Sequence, residues 1–424
     1  MTLNFNLDAF IRTYVTKRQE NLLAADFARY EAPLHQKLDG KRVLVIGGAG
    51  TIGSHYIKAL LRFPVAKLVV VDIDENNLTE LVRELRSSSE GLQIPADFTT
   101  YPVDFGSATF ERLFFHHAPF DIVANFAARK HVRSEKDIFS IEAMCETNVF
   151  MARRLLDLLL KAPPEAFFCV STDKAANPVN VMGATKKLME DLILSYASEL
   201  PIKTARFANV AFSNGSLPLG WLNRLRRWQP LSCPLGIRRF FVSPIESGEL
   251  CLLASVLGAS GDIFYPKLDE ARDMIPFDLI VKDLLSALNL GTCACKDSAE
   301  ARAHADQLRR ALATAPHSAD AVAALVRAQG GYPVEFFASD TSGEKTYEEF
   351  FTACERLDTS TFVNLGIVKE TPIHPRADIE AIVAEMKRLF QTPQADKAAV
   401  VSALSAYLPN FHHIEKGRSL DNRM

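Results

Sequence analysis

No stretch of this 424-residue sequence reaches about 18 apolar residues without a charge, which excludes a membrane-spanning helix. The opening MTLNFNLDAFIRTYVTKRQE interleaves charged and apolar residues and lacks an uninterrupted apolar core, so it does not read as a secretory signal, and a cytoplasmic location is expected. Charge of one sign is also lacking. With a net charge of −3 there is no basic field to hold a nucleic-acid backbone, so phosphate must be met by a local site. Cysteine is sparse and unpatterned: of Cys145, Cys169, Cys233, Cys251, Cys293, Cys295 and Cys354, only Cys293-Ala294-Cys295 sits close, with no second pair to complete a zinc site. The thiols read as reduced, and no metal is expected. No internal repeat or low-complexity tract stands out. What is present, 48% hydrophobic and 23% charged residues, is ordinary globular usage, and the length suits one large domain with additions or two interleaved lobes.

Residues 6–36 carry apolar positions at roughly helical spacing (Phe10, Ile11, Tyr14, Leu22, Leu23, Phe27) and end at Gly40, predicting a helical extension over 1–40 that packs on the main body or on a partner subunit. From Lys41 strand and helix alternate: RVLVIGG, a helix to Leu61, KLVVVD, a helix from about Asn76 to Arg86, FTTYPVD, FDIVANFAA, a long helix over Ile141 to Lys161, AFFCVS, a helix from about Val181 to Ser198, and KTARFAN. β-branched runs, each followed by a helix, predict an α/β fold with a doubly wound parallel sheet over 41–214. After Asn214 the rhythm breaks into Pro- and Arg-rich segments, which reads as a smaller α/β lobe over 215–424, interleaved with the first. Within it, 295–330 is an Ala-, Arg- and His-rich helical pair with no chemical motif, most simply an insertion.

Gly47-Gly48-Ala49-Gly50-Thr51-Ile52-Gly53 follows the first strand and opens a helix. Glycines there permit a tight turn, close approach of backbone N–H groups to a pyrophosphate, and tight helix-on-strand packing. A glycine pattern alone is weak, but Asp72 closes the second strand 19 residues beyond Gly53, where an acid holds ribose hydroxyls. The same carboxylate would repel a 2′-phosphate, so NAD is favoured over NADP. Gly47, Gly50, Thr51, Ile52, Gly53 and Asp72 are therefore the expected cofactor contacts. Asp104, after the third strand, lies beside the adenine or is a solvent-facing strand-end acid.

The stretches NFAARKHV (Asn125 to Val132), ETNV (Glu146 to Val149) and STDKAANPVNVMGATK (Ser171 to Lys186) resemble those of extended short-chain dehydrogenase/reductases. More narrowly, the sequence resembles the bacterial polysaccharide-biosynthesis nucleotide-sugar dehydratases that act on UDP-N-acetylglucosamine as 4,6-dehydratases. The resemblance is dense over roughly 41–215 and returns more weakly at RRFFVSPIESGELCLLA, SGEKTYEEF and FHHIEKGRSLDNRM. It implies a Rossmann-type fold, an NAD-dependent lyase, and three acts: hydride leaves C4, the C5 proton and the C6 hydroxyl are lost as water, and hydride returns to C6. The product would be a UDP-4-keto-6-deoxy-N-acetylhexosamine. It also implies a homodimer or higher assembly through helices flanking the sheet.

In the wider superfamily a tyrosine takes the alcohol proton and a lysine one helical turn later holds the nicotinamide ribose. Lys186 fits the second role, yet Met182 stands where the tyrosine would be and cannot ionise. Dehydratases with methionine here exist in the resembled group, and the resemblance moves the chemistry to Thr172, Asp173 and Lys174, after the fifth strand. Asp173 would accept the O4 proton and later give it to the departing O6 hydroxyl. Lys174 would be the base at C5, with a pKa depressed by burial and by cations such as Lys186. Thr172 would orient O4. Outside this family such a trio is more simply a strand-end turn with a surface ion pair.

By the same resemblance Ala127, Ala128 and Lys130 line the nicotinamide half of the cofactor, Lys130 and His131 reach substrate, and Asn209, ending the sixth strand, contacts the nucleotide sugar. His131 could equally be a loop histidine. Asn148 either orders water and backbone or is only structural. Arg224, Arg226, Arg227, Arg238 and Arg239 form a local excess of cations suited to a diphosphate, with Arg239 the single best choice and two or three of the others solvated. Gly343-Glu344-Lys345 resembles a family phosphate-binding loop, but Thr341-Ser342 replaces the usual Arg-Pro before it. Trp221 and Trp228, seven apart, would share a helix face and pack in the core rather than stack on uracil. Two rival readings are a UDP-N-acetylhexosamine 4-epimerase, which needs no base at C5, and a non-catalytic NAD-sensing protein.

Overall fold

The computed structural model describes residues 5–313, 318–339, 343, 345 and 347–415. Strands β1 (Arg42–Ile46), β2 (Lys67–Asp72), β3 (Asp97–Pro102), β4 (Ile122–Asn125), β5 (Ala166–Val170) and β6 (Ile202–Ala205) form where the β-branched runs predict them. β7 (Asn209–Val210), β8 (Leu231–Leu235), β9 (Arg238–Val242), β10 (Ile263–Pro266), β11 (Met274–Pro276), β12 (Thr292–Cys295), β13 (Tyr332–Ala338), β14 (Arg356–Asp358) and β15 (Leu365–Glu370) follow.

A nine-stranded sheet runs in the order β14-β15-β10-β6-β5-β4-β1-β2-β3, parallel from β10 through β3, with β15 antiparallel to β10 and the edge strand β14 antiparallel to β15. β1 pairs with β2 on one side and β4 on the other, so the chain reverses direction across the sheet between them. That switch point leaves a crevice at the carboxyl ends of the strands, the usual ligand site of such sheets. Helices cover both faces, which is why the middle strands are apolar throughout: Val43 to Val45 and Leu68 to Val71 have no exposed surface. Two smaller sheets, β11-β9-β7 and β12-β13-β8, surround a second core containing Trp221, Phe241, Ile280 and Leu284.

The amino-terminal segment is helical in two pieces rather than one. Leu7–Phe10 continues as a π-helical turn to Val15, Lys17 adopts φ +53°, and Ala24–Leu38 resumes. Phe10, Ile11 and Val15 enter the second core, whereas Leu23, Leu34 and Leu38 enter the core of the large sheet. Arg18 lies between, donating to Glu246 at 2.7 Å and to the Phe241 carbonyl at 3.1 Å.

Other boundaries shift for physical reasons. The helix expected from Ile141 starts at Ile138 and opens into a π turn over Glu146–Phe150 before Met151–Lys161. The helix from Val181 ends at Leu194 rather than Ser198. Trp221 and Trp228 do not share a helix face, because the helix Leu217–Arg226 stops first and Trp228 has φ +54°. Trp221 is fully buried, edge-on to Phe277, with its indole N–H on the Ser232 carbonyl. Among the described residues no helix is long and apolar enough to cross a membrane.

Candidate active site

β1 ends at Ile46, and the chain turns through the glycines into the helix Thr51–Leu60. Gly47 has φ +73°, and a Cβ on it would lie 2.5 Å from the Ala127 amide nitrogen; one on Gly53 would lie 2.3 Å from the Gly47 carbonyl oxygen. Packing alone therefore demands both. Gly50 differs: it is the N-cap, the nearest atom to an added Cβ is 3.5 Å away, and no side chain caps the helix. An uncapped first turn offers free N–H groups and the positive dipole end, so the open space over Gly50 fits a diphosphate.

Asp72, at the end of β2, accepts from the Ala49 amide at 2.9 Å and from the Asp74 amide at 3.1 Å. Each carboxylate oxygen keeps a lone pair for a ribose hydroxyl. Thr51 Oγ1 accepts from the Asn214 amide, and Ile52 packs half-buried on the core. Asp104 is exposed and caps its own turn through the Gly106 amide. Beside the loop a cavity of about 260 Å³ is lined by Leu7, Ile11, Ala49, Thr51, His55 and Phe212.

Past β4, Ala127 faces Gly47, Ala128 is half-buried, and Lys130 and His131 stand exposed, the His131 ring against Gly215. Asn148 sits in the π turn. Its Oδ1 accepts from the Arg129 amide and its Nδ2 donates to the Arg129 carbonyl and to Thr185 Oγ1, so it fastens this loop to the helix Val181–Leu194.

β5 delivers Thr172, Asp173 and Lys174 into the crevice through one 3-10 turn. Asp173 Oδ1 accepts from Thr172 Oγ1 at 2.8 Å and from Lys174 Nζ at 3.0 Å, while its other oxygen is buried without a partner among the described residues. Such an orphan oxygen is costly unless a ligand meets it. Lys174 Nζ also lies 3.7 Å from Glu348 Oε1. These are buried charges, not a surface pair: Asp173 and Glu348 are 3% and 5% exposed.

One expectation is overturned. Burial works to lower the Lys174 pKa, but the carboxylates of Asp173 and Glu348 outweigh it and raise the pKa above the ordinary lysine value. The cation acting downward on Lys174 is Arg239, not Lys186. Burial in turn raises the Glu348 carboxyl. Lys186 is buried beneath the strand end, donating to the Val170 carbonyl at 2.6 Å, and burial lowers its pKa. Met182, on the same helix, is core.

Arg239, buried on β9, donates to the carbonyls of Arg238 and Lys345 at 2.8 and 2.9 Å. Arg226, Arg227 and Arg238 are exposed, and Arg224 bonds to the Gly220 carbonyl of its own helix. Asn209 does not end the sixth strand; β6 stops at Ala205, and Asn209 opens β7 beside β9. Of the loop before Glu348, Thr341, Ser342 and Glu344 lie outside the described residues, and Gly343 accepts from the Asn180 side chain while its amide donates to the Ile414 carbonyl. The sequence reasoning missed Glu348. Its signal was the SGEKTYEEF segment, read only as a phosphate loop.

The family profile described as "Polysaccharide biosynthesis protein" matches residues 43–291. An uncharacterized membrane protein of Methanocaldococcus jannaschii is 33% identical over 251 residues, 58% of this chain and 72% of that protein. The capsular polysaccharide biosynthesis protein CapD of Staphylococcus aureus is 28% identical over 266 residues, 61% of this chain but only 43% of CapD. The solved structure of Pen from Bacillus thuringiensis superposes with a TM-score of 0.59 at 20% identity, covering 80% of this chain and 90% of Pen, a likeness of fold.

Proposed function

The chain belongs to the polysaccharide biosynthesis protein family, and from that premise we propose that it is an NAD-dependent nucleotide-sugar 4,6-dehydratase, a lyase acting on UDP-N-acetylglucosamine. The observation that carries this reading is the buried trio of Asp173, Lys174 and Glu348, in a chain whose Met182, at the position of the superfamily tyrosine, cannot move a proton. Gly47, Gly50, Thr51, Ile52, Gly53, Asp72, Asp104, Ala127, Ala128, Lys130 and Lys186 would hold the cofactor, and Asp72 favours NAD over NADP. Bound NAD would supply the hydride acceptor at C4 and donor at C6. His131, Lys130, Asn209 and Arg239 are assigned to the sugar nucleotide, with 41–214 as the cofactor domain and 215–424 as the substrate lobe. Assembly as a homodimer or larger oligomer and a cytoplasmic location belong to the same proposal.

Thr172 and Asp173 meet O4, and the orphan oxygen of Asp173 accepts its proton. That step neutralises the carboxylate 3.0 Å from Lys174 Nζ. Losing that charge lowers the lysine pKa at the stage where a neutral amine is needed at C5. Glu348, whose own pKa is raised by burial, can take up the ammonium proton. Asp173 then returns the O4 proton to the leaving O6 hydroxyl, acting as base and afterwards as acid. A 4-epimerase gives Lys174 and Glu348 nothing to do.

Incubation with UDP-N-acetylglucosamine, followed by proton NMR, tests the proposal. A new C6 methyl doublet is expected. A galacto-configured product would assign the chain as an epimerase, and unchanged substrate would favour the non-catalytic reading.

A further inference from the structure

β12 is one of the two edge strands of the sheet β12-β13-β8, paired to β13 with Cys293 opposite Pro333 and Cys295 opposite Glu335. Residues two apart on a strand share a face, so both thiols project to one side. The chain then turns at Asp297, whose side chain caps the helix Ser298–Leu312. That helix buries Ala301, Ala305 and Leu308, a stripe that leaves His304 beside the buried face. The outcome is a convergence that sequence spacing conceals: the sulfurs of Cys293 and Cys295 and a ring nitrogen of His304 lie within 4.8 Å of one another, Cys295 buried and the other two half-buried.

We propose that Cys293, Cys295 and His304 bind a zinc ion that clips this helix to the edge of the three-stranded sheet. The donor set of two thiolates and one imidazole is that of tetrahedral zinc, with the fourth position left to water. Zinc bonds of roughly 2.3 Å to sulfur and 2.0–2.1 Å to nitrogen put ligand atoms roughly 3.5–3.8 Å apart, a small side-chain adjustment from the present spacing. A Cys293–Cys295 disulfide suits the geometry less well, because Cα atoms two residues apart in an extended strand are roughly 6.6 Å apart, near the upper limit for that bond. The site stands apart from the dehydratase reading, since it uses none of the residues assigned to NAD or sugar.

The test is made on the full chain, purified under reducing conditions and stripped of metal. Titration with Co²⁺ should give tetrahedral d–d bands and thiolate-to-cobalt charge transfer saturating at one ion per chain, and Zn²⁺ should displace it. Cys295→Ser and His304→Ala should each weaken Zn²⁺ binding in a chromophoric-chelator competition by at least about tenfold, the loss that even outer-shell partners of zinc cause. Cys354→Ser, at an exposed thiol elsewhere, should leave it unchanged. Cobalt bound without the charge-transfer band, affinity indifferent to both substitutions, or an intact Cys293–Cys295 disulfide in the reduced preparation would each overturn the proposal. Should a variant fail to fold, the wild-type cobalt spectrum decides alone.

Discussion

Lys174 has two carboxylates and one guanidinium as its charged neighbours, and their balance sets when its amine is neutral. Its folded pKa lies above the unfolded one. The stabilisation from its ion pairs is therefore whole below the unfolded value near about 10.4 and is lost as pH rises through the folded pKa. Glu348→Gln removes one upward influence, so the limb of C5 solvent-deuterium exchange that rises with pH should move to lower pH; an unmoved limb would mean Glu348 does not govern the lysine. Lys174→Ala should abolish that exchange while NAD still binds, and Met182→Ala should keep substantial turnover. The reverse pattern, measured by NMR for exchange and turnover and by calorimetric titration for NAD binding, would defeat the assignment. The Thr172-Asp173-Lys174 cluster was singled out by the family resemblance, its place after a predicted strand alone suggesting no more than a turn with an ion pair. The direction of the Lys174 shift was not legible, because Glu348 lies 174 positions later and only the fold brings it within reach.

At the scale of elements, the turn from β1 into Thr51–Leu60 separates what packing needs from what a ligand needs. Gly53→Ala would drive a Cβ into the Gly47 carbonyl, so it should lower both the melting temperature and NAD affinity. Gly50→Ala has room within the protein and should leave melting nearly unchanged while weakening NAD binding; full affinity in that variant would show that no diphosphate rests there. Strands β1, β2, β4 and β5 were readable because strands buried on both faces are written as continuous apolar runs, whereas β3, half-exposed at the sheet edge, was marked by its Thr and aromatic residues. The π turn at Glu146–Phe150 was not readable, since nothing in its composition distinguishes it from the helices it joins. Nor was the break at Lys17, where a lysine takes a left-handed conformation that sequence patterns assign to glycine or asparagine.

For the molecule as a whole, the doubly wound parallel sheet followed from strand and helix alternation, but the second core did not, because its members come from Phe10 to Val334 and share no period. Residues 7–38 join that core to the larger one, with Arg18 bridging Glu246 and the Phe241 carbonyl between them. In the full chain, calorimetry should record a single cooperative melting event. Deleting residues 1–40 should split it into two, and one sharp transition in the truncated chain would refute the link. The same strap walls the cavity beside Ala49 and Thr51. On the proposed cofactor assignment, loosening Leu7 and Ile11 should weaken NAD binding, and added NAD should protect that end of the chain from limited proteolysis.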